Sequence, residues 1–124
     1  MSIHHRIIII DDEPSIRNSL ENYLLDFGYE ITTVACAEDA LEQLKQESYS
    51  VAIVDIRLPG LDGDGFIQEA HLKYPEMKYI IHTGANNYIL PEYFKAIGLK
   101  SPQLFIKPIV DLSQLLKTIE SLTE

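Results

Sequence analysis

RIIIIDDEPS, residues 6–15, sets four consecutive isoleucines against three consecutive carboxylates. Ile7 to Ile10 form a short apolar run with no polar alternation, the pattern of a strand covered on both faces. Asp11, Asp12 and Glu13 then follow with nothing between them. Two like charges about 4 Å apart cost about 4 kcal/mol at an effective dielectric of ~20. A bound cation is the obvious way to offset that cost.

The rest of the chain repeats the theme. Short apolar runs lie at 6–11, 30–35, 50–55, 78–84 and 103–108, and helical patterns separate them. After the isoleucines, Pro14 suits a first helical residue. Ile16, Leu20, Tyr23, Leu24 and Phe27 then follow helical spacing until Gly28. A second helix places Ala37, Ala40, Leu41 and Leu44 on one face. LPGLDGDG, 58–65, reads as a loop, and the helix after it uses Phe66, Ile67 and Ala70. A weaker helix is predicted over 86–97. Asp111 caps the last helix, with Gln114 in the capping-box position and a stripe of Leu112, Leu115, Leu116, Ile119 and Leu122. Five β-α repeats of this kind predict an α/β domain, a doubly wound five-stranded parallel sheet with helices on both faces.

Composition narrows the rest. A chain of 124 residues suits a single domain, 1–124, and 46% hydrophobic content suits a real core. A net charge of −9 argues against direct nucleic-acid binding. The one cysteine, Cys36, permits neither a disulfide framework nor a zinc site and reads as a small buried hydrophobe. No stretch has the length of a membrane span. His4, His5 and Arg6 before four isoleucines make too short a run for a signal peptide, so a cytoplasmic protein is expected. His4 and His5 read as a frayed terminus.

In a doubly wound sheet, ligands bind outside the carboxyl ends of the strands, at the switch in strand order. Asp11 and Asp12 end the first run, Asp55 the third, Thr83 the fourth and Lys107 the fifth. Each alone has a plainer explanation. Asp12 could cap the helix at Pro14, Thr83 could bond the backbone, and Lys107 could be a solvated surface lysine. Together, at four of five strand ends, they suit phosphoryl transfer to a carboxylate. Hard oxygen ligands favour Mg²⁺. A carboxylate can act as nucleophile, Lys107 can pair with a phosphate oxygen as a point charge, and Thr83 can hydrogen-bond another. Gly84 and Ala85 leave room for a phosphodonor.

With these residues placed, the chain resembles a response-regulator receiver domain of two-component signalling, a flavodoxin-like fold. The resemblance runs from about Arg6 to Leu122. It is carried by Asp11-Asp12, the D-x-x-L-P-G-x-D-G run from Asp55 to Gly63, Thr83-Gly84 and Lys107-Pro108. It implies that Asp55 accepts the phosphoryl group. Asp12 and Asp55 would bind Mg²⁺ directly, with the backbone carbonyl of Arg57, and Asp11 would hold it through water. Thr83 would be the switch hydroxyl and Lys107 its cationic companion, with a cis Lys107-Pro108 bond. The donor would be a histidine kinase or phosphotransfer protein. The domain would not be an enzyme beyond its own phosphorylation and dephosphorylation. Its output would use an effector domain or a homodimer through residues 86–122.

Two features depart from that pattern. The family usually places Tyr or Phe three residues before the lysine as a rotating switch, and here that residue is Leu104. Phe105 lies on the opposite face of a strand and reads as core, although Tyr88 or Tyr93 could stand in for the switch. The segment 84–102, punctuated by Pro91, Gly98 and Pro102, predicts a short or displaced fourth helix. Glu13 is assigned to the helix start, Arg57 to solvent, His82 to a packed position facing away from Thr83, and His71 to solvent. These departures motivate a second reading, a receiver-fold interaction module that works without phosphorylation. A small phosphohydrolase is a third reading, and a poor one, because Arg57 stands where such an enzyme needs a second acid.

Overall fold

A computed structural model of the chain describes residues 5–124. Arg6–Ile10 (β1), Glu30–Val34 (β2), Val51–Val54 (β3), Lys78–Thr83 (β4) and Leu104–Ile106 (β5) form one sheet. Its order is β2-β1-β3-β4-β5, and every neighbouring pair is parallel. The helices are Pro14–Leu25 (α1), Ala37–Gln46 (α2), Gly63–Lys73 (α3), Glu92–Ala96 (α4) and Leu112–Leu122 (α5). The doubly wound parallel architecture read from the sequence is therefore the one found. Among the described residues no helix is long and apolar enough to cross a membrane.

The four isoleucines explain how one strand serves two cores. All four are fully buried. Strand geometry turns alternate side chains to opposite faces. Ile7 and Ile9 meet Leu20 and Leu24 of α1 and Leu115 and Ile119 of α5. Ile8 and Ile10 meet Ala37, Ala40 and Leu44 of α2 and Phe66, Ile67 and Ala70 of α3. Burying one such side chain contributes about 1.5–3 kcal/mol, so this single strand anchors both layers.

Several boundaries differ from the sequence reading, each for a local reason. Helix α3 begins at Gly63, inside the stretch read as loop. Asp62 caps it by accepting from Gly65 N at 2.8 Å, which lets two glycines sit in a first turn. Phe27 lies beyond α1 and is 51% exposed, tilted against Tyr23 at 5.1 Å rather than buried in the core. The pattern over 86–97 yields only the five residues of α4, entered through Pro91 and followed by Gly98, so the fourth helix is short, as the proline and glycine punctuation predicted. Gln103 belongs to a 3-10 turn, Ser101–Gln103, and donates from Nε2 to Tyr79 O at 2.8 Å. Cys36 is half-buried at the N-cap position of α2 rather than a core hydrophobe. His5 is not frayed, because its Nδ1 hydrogen-bonds Ser50 Oγ at 2.9 Å. His4 lies outside the described residues.

Candidate functional site

The sheet register assembles the site. Ile10 pairs with Val54, and Asp55 N donates to Ile10 O at 2.9 Å. Asp11 and Asp55 therefore leave neighbouring strands side by side, at the point where the chain reverses strand order. On the other flank Thr83 pairs with Ile106, and Lys107 N donates to Thr83 O. The Lys107-Pro108 bond is cis, as the resemblance implied.

Lys107 is the hub. Its Nζ lies 2.8 Å from Asp11 Oδ2, 3.0 Å from Asp55 Oδ2 and 3.1 Å from Glu13 Oε1. Asp11 and Asp55 are buried, at 2% and 4% exposure. Burial works against the Lys107 ammonium, but its bonds to Asp11, Asp55 and Glu13 outweigh that cost and hold its pKa above the ordinary lysine value. Burial pushes the Asp55 carboxyl up. Lys107 pulls it back, and the nearby Asp11 charge adds to the rise.

Backbone contacts fix the carboxylates. Asp11 Oδ1 accepts from Glu13 N at 2.9 Å, while Arg17 Nη1 donates to the Asp11 main-chain carbonyl, not its carboxylate, at 2.6 Å. Asp55 Oδ1 accepts from Arg57 N at 3.2 Å. Asp11, rather than Asp12, thus bonds the backbone at the start of α1, and the N-cap residue there is Glu13, which makes no side-chain cap bond. Glu13 therefore does more than sit at a helix start, because its carboxylate reaches Lys107. Three adjacent acids were the available signal, but the reach to Lys107 crosses 94 residues of sequence.

Asp11, Asp12, Glu13 and Asp55 each offer an oxygen within 4.8 Å of the others. Four carboxylates against one ammonium leave a formal excess of three negative charges, which a hard divalent cation suits. The donor set therefore fits Mg²⁺. Asp12 and Arg57 are exposed at the rim.

Thr83 is fully buried, and its Oγ1 accepts from Ala85 N at 3.2 Å. His82 faces away from it, as expected. It is packed with both ring nitrogens unpartnered, and burial, helped by Lys107, lowers its pKa to about 4. Leu104 packs on the α2–α3 side of the sheet and Phe105 on the α1–α5 side, partly buried. Phe105 thus belongs with the core, and no aromatic stands at the switch position.

The turn between Asp55 and α3 is tightly fitted. Leu61 N donates to Glu38 Oε2 at 3.0 Å. A Cβ on Gly63 would overlap the Asp55 carbonyl oxygen and lie 2.7 Å from Ile56 Cα. Only glycine lets α3 start this close to Asp55.

The sequence matches the family described as response regulator receiver domain over residues 7–120. A curated relative, the probable transcriptional regulator ycf27 of Porphyridium aerugineum, is 42% identical over 103 residues, covering 83% of this chain and 42% of the relative. The chain spans less than half the length of the curated relatives it matches. Among solved structures, the CheY-like receiver domain protein of Methanospirillum hungatei JF-1 superposes with a TM-score of 0.82 at 31% identity, covering 98% of this chain and 95% of that one. The response regulator TrrA of Thermotoga maritima, solved with Mg(2+)-BeF, gives a TM-score of 0.76 at 28% identity, covering 95% and 98%. TrrA has also been solved in complex with the histidine kinase ThkA, with a TM-score of 0.81 at 28% identity over 97% of this chain and 99% of that one.

Proposed function

The chain belongs to the response regulator receiver domain family, and we propose that Asp55 is its phosphoacceptor and that Asp11, Asp12 and Arg57 hold Mg²⁺ beside it. One observation carries the reading: Lys107 Nζ bridges Asp11 and Asp55, two buried carboxylates on neighbouring strand ends. A buried ion pair is weak support for stability alone. Repulsion built into a sheet's ligand-binding edge is better explained by chemistry done there.

The donor is a phosphohistidine on a histidine kinase or phosphotransfer protein. An Asp55 carboxylate oxygen forms a bond to phosphorus as the P–N bond breaks, and the leaving imidazole takes a proton. Lys107 pairs with a phosphoryl oxygen, trading one of its present carboxylate partners for it. Thr83 leaves the Ala85 amide to hydrogen-bond another phosphoryl oxygen. Asp12, the Arg57 carbonyl and Asp11 would hold the metal together with Asp55. When bound, the ion neutralises charge on the transferring group. The Mg(2+)-BeF complex of TrrA and its complex with ThkA support both partners.

The output surface is the region 86–122, where Ile89, Tyr93, Ile106 and Val110 are exposed. The greater length of the ycf27 relatives, described as probable transcriptional regulators, supports an effector domain as the recipient of the signal. Intact mass measured after treatment with acetyl phosphate and Mg²⁺ tests the acceptor. One added phosphate is expected, and none on Asp55→Asn. Phosphate on both proteins, or on neither, would overturn the assignment.

A further inference from the structure

Residues 84–90 lead from Thr83 towards α4 without regular structure. Within the segment, Tyr88 N donates to Ala85 O at 3.1 Å, and Ala85 N donates to Thr83 Oγ1 at 3.2 Å. Apart from that Ala85 bond to the end of β4, one hydrogen bond among the described residues ties residues 84–90 to another element: Tyr88 Oη donates to Asp64 Oδ1 at 3.0 Å. Leu90 anchors the far end in the core, and the Tyr88 ring packs against the same cluster. Asn86, Asn87 and Ile89 are exposed.

Asp64 is not an arbitrary anchor. It follows Gly63, whose backbone rests on the carbonyl of Asp55. The Tyr88 bond therefore joins the turn lying on Asp55 to the segment that holds the Thr83 hydroxyl. Burial, reinforced by the bond to Asp64, raises the Tyr88 pKa, so the phenol keeps the proton it donates. Leu104 offers no aromatic group that could couple the site to this face.

From this arrangement we infer that Tyr88 is a positioning residue for Thr83, clamping residues 84–88 to Asp64 and so keeping the Thr83 hydroxyl on the Ala85 amide until the clamp releases. The inference rests on the assignment of Asp55 above. Tyr88→Phe removes the clamp but keeps the ring in the core. Asp64→Ala removes the acceptor, whereas Asp64→Asn retains an oxygen that can accept.

Amide hydrogen exchange of residues 84–88, followed with no phosphodonor present, reads the clamp. Exchange should run about three- to tenfold faster in Tyr88→Phe and Asp64→Ala, while Asp64→Asn keeps most of the protection. Phosphate uptake from acetyl phosphate with Mg²⁺ reads the coupling, and Tyr88→Phe should be phosphorylated about two- to tenfold faster than the unaltered protein. Unchanged exchange in Tyr88→Phe would overturn the clamp. Equal loss of protection in Asp64→Asn and Asp64→Ala would do the same. Faster exchange with uptake unchanged or slower would overturn the link to Thr83. If the unaltered chain takes up no phosphate at Asp55, the acceptor assignment and the link to Thr83 both fall, and exchange alone decides the clamp.

Discussion

The two flanks of the strand-end surface are built to opposite standards. Where β1 and β3 end, Asp11 and Asp55 are buried, the Lys107 side chain reaches over from the end of β5 to hold three carboxylates, and every isoleucine behind them is sealed. Beyond β4, α4 has five residues, β5 has three, and Ile89 is 81% exposed. Few buried contacts and few bonds mean low local stability. The difference separates two jobs. A reacting constellation needs fixed geometry, whereas a surface that must report the reaction needs an alternative conformation of nearly equal energy.

The contrast can be broken from its rigid side first. Lys107→Met leaves two buried carboxylates without their cation and should destabilise the fold by about 3–5 kcal/mol at pH 7. Urea unfolding of the metal-free protein measures this, and a loss under about 1 kcal/mol, the scale of an exposed ion pair, would show that Lys107 is not the keystone. Asp55→Asn should act in the opposite direction. The folded state favours the neutral form of that carboxyl, because burial raises its pKa, so the stability this group contributes declines as pH rises.

His82 sits on the seam between the flanks. Its imidazole titrates near 4 when folded against 6.5 when exposed. As pH falls from about 6.5 to about 4, the unfolded chain takes up the proton first and stability drains away, by roughly 3 kcal/mol when complete. The difference in unfolding free energy between the unaltered protein and His82→Leu, followed across that window, should trace this loss. Parallel pH curves would refute it. The smallest effect belongs to the loose flank. Leu104→Tyr should change stability by less than about 1 kcal/mol, since Leu104 is only partly buried on a three-residue edge strand. A larger loss would mean that this flank is packed as tightly as the other.

Much of this was legible because it depends on short-range patterns. Apolar runs gave the strands, and the residue ending each run named the groups at the ligand-binding edge, since a parallel sheet brings all carboxyl ends together. The failures lie where partners are far apart in sequence or where a cap overrides local preference. Glu13 looked like a helix-start acid because nothing near it announces Lys107. Gly63 and Gly65 looked like loop because glycine disfavours helices, but Asp62 caps the turn and the close approach to Asp55 requires Gly63. Phe27 fitted the helical period but fell just past the end of α1. The Tyr88–Asp64 bond crosses 24 residues and has no motif.

The pairing of Ile10 with Val54 also constrains how sequences of this type can change length. Inserting one residue in either strand would flip its side chains and drive carboxylates into hydrocarbon. Inserting two would restore the faces yet part Asp11 from Asp55 by about 6–7 Å, beyond the span of one ammonium. Alignment of the two strands is thus policed twice, by oil and by charge, and growth of the chain is confined to its connecting segments.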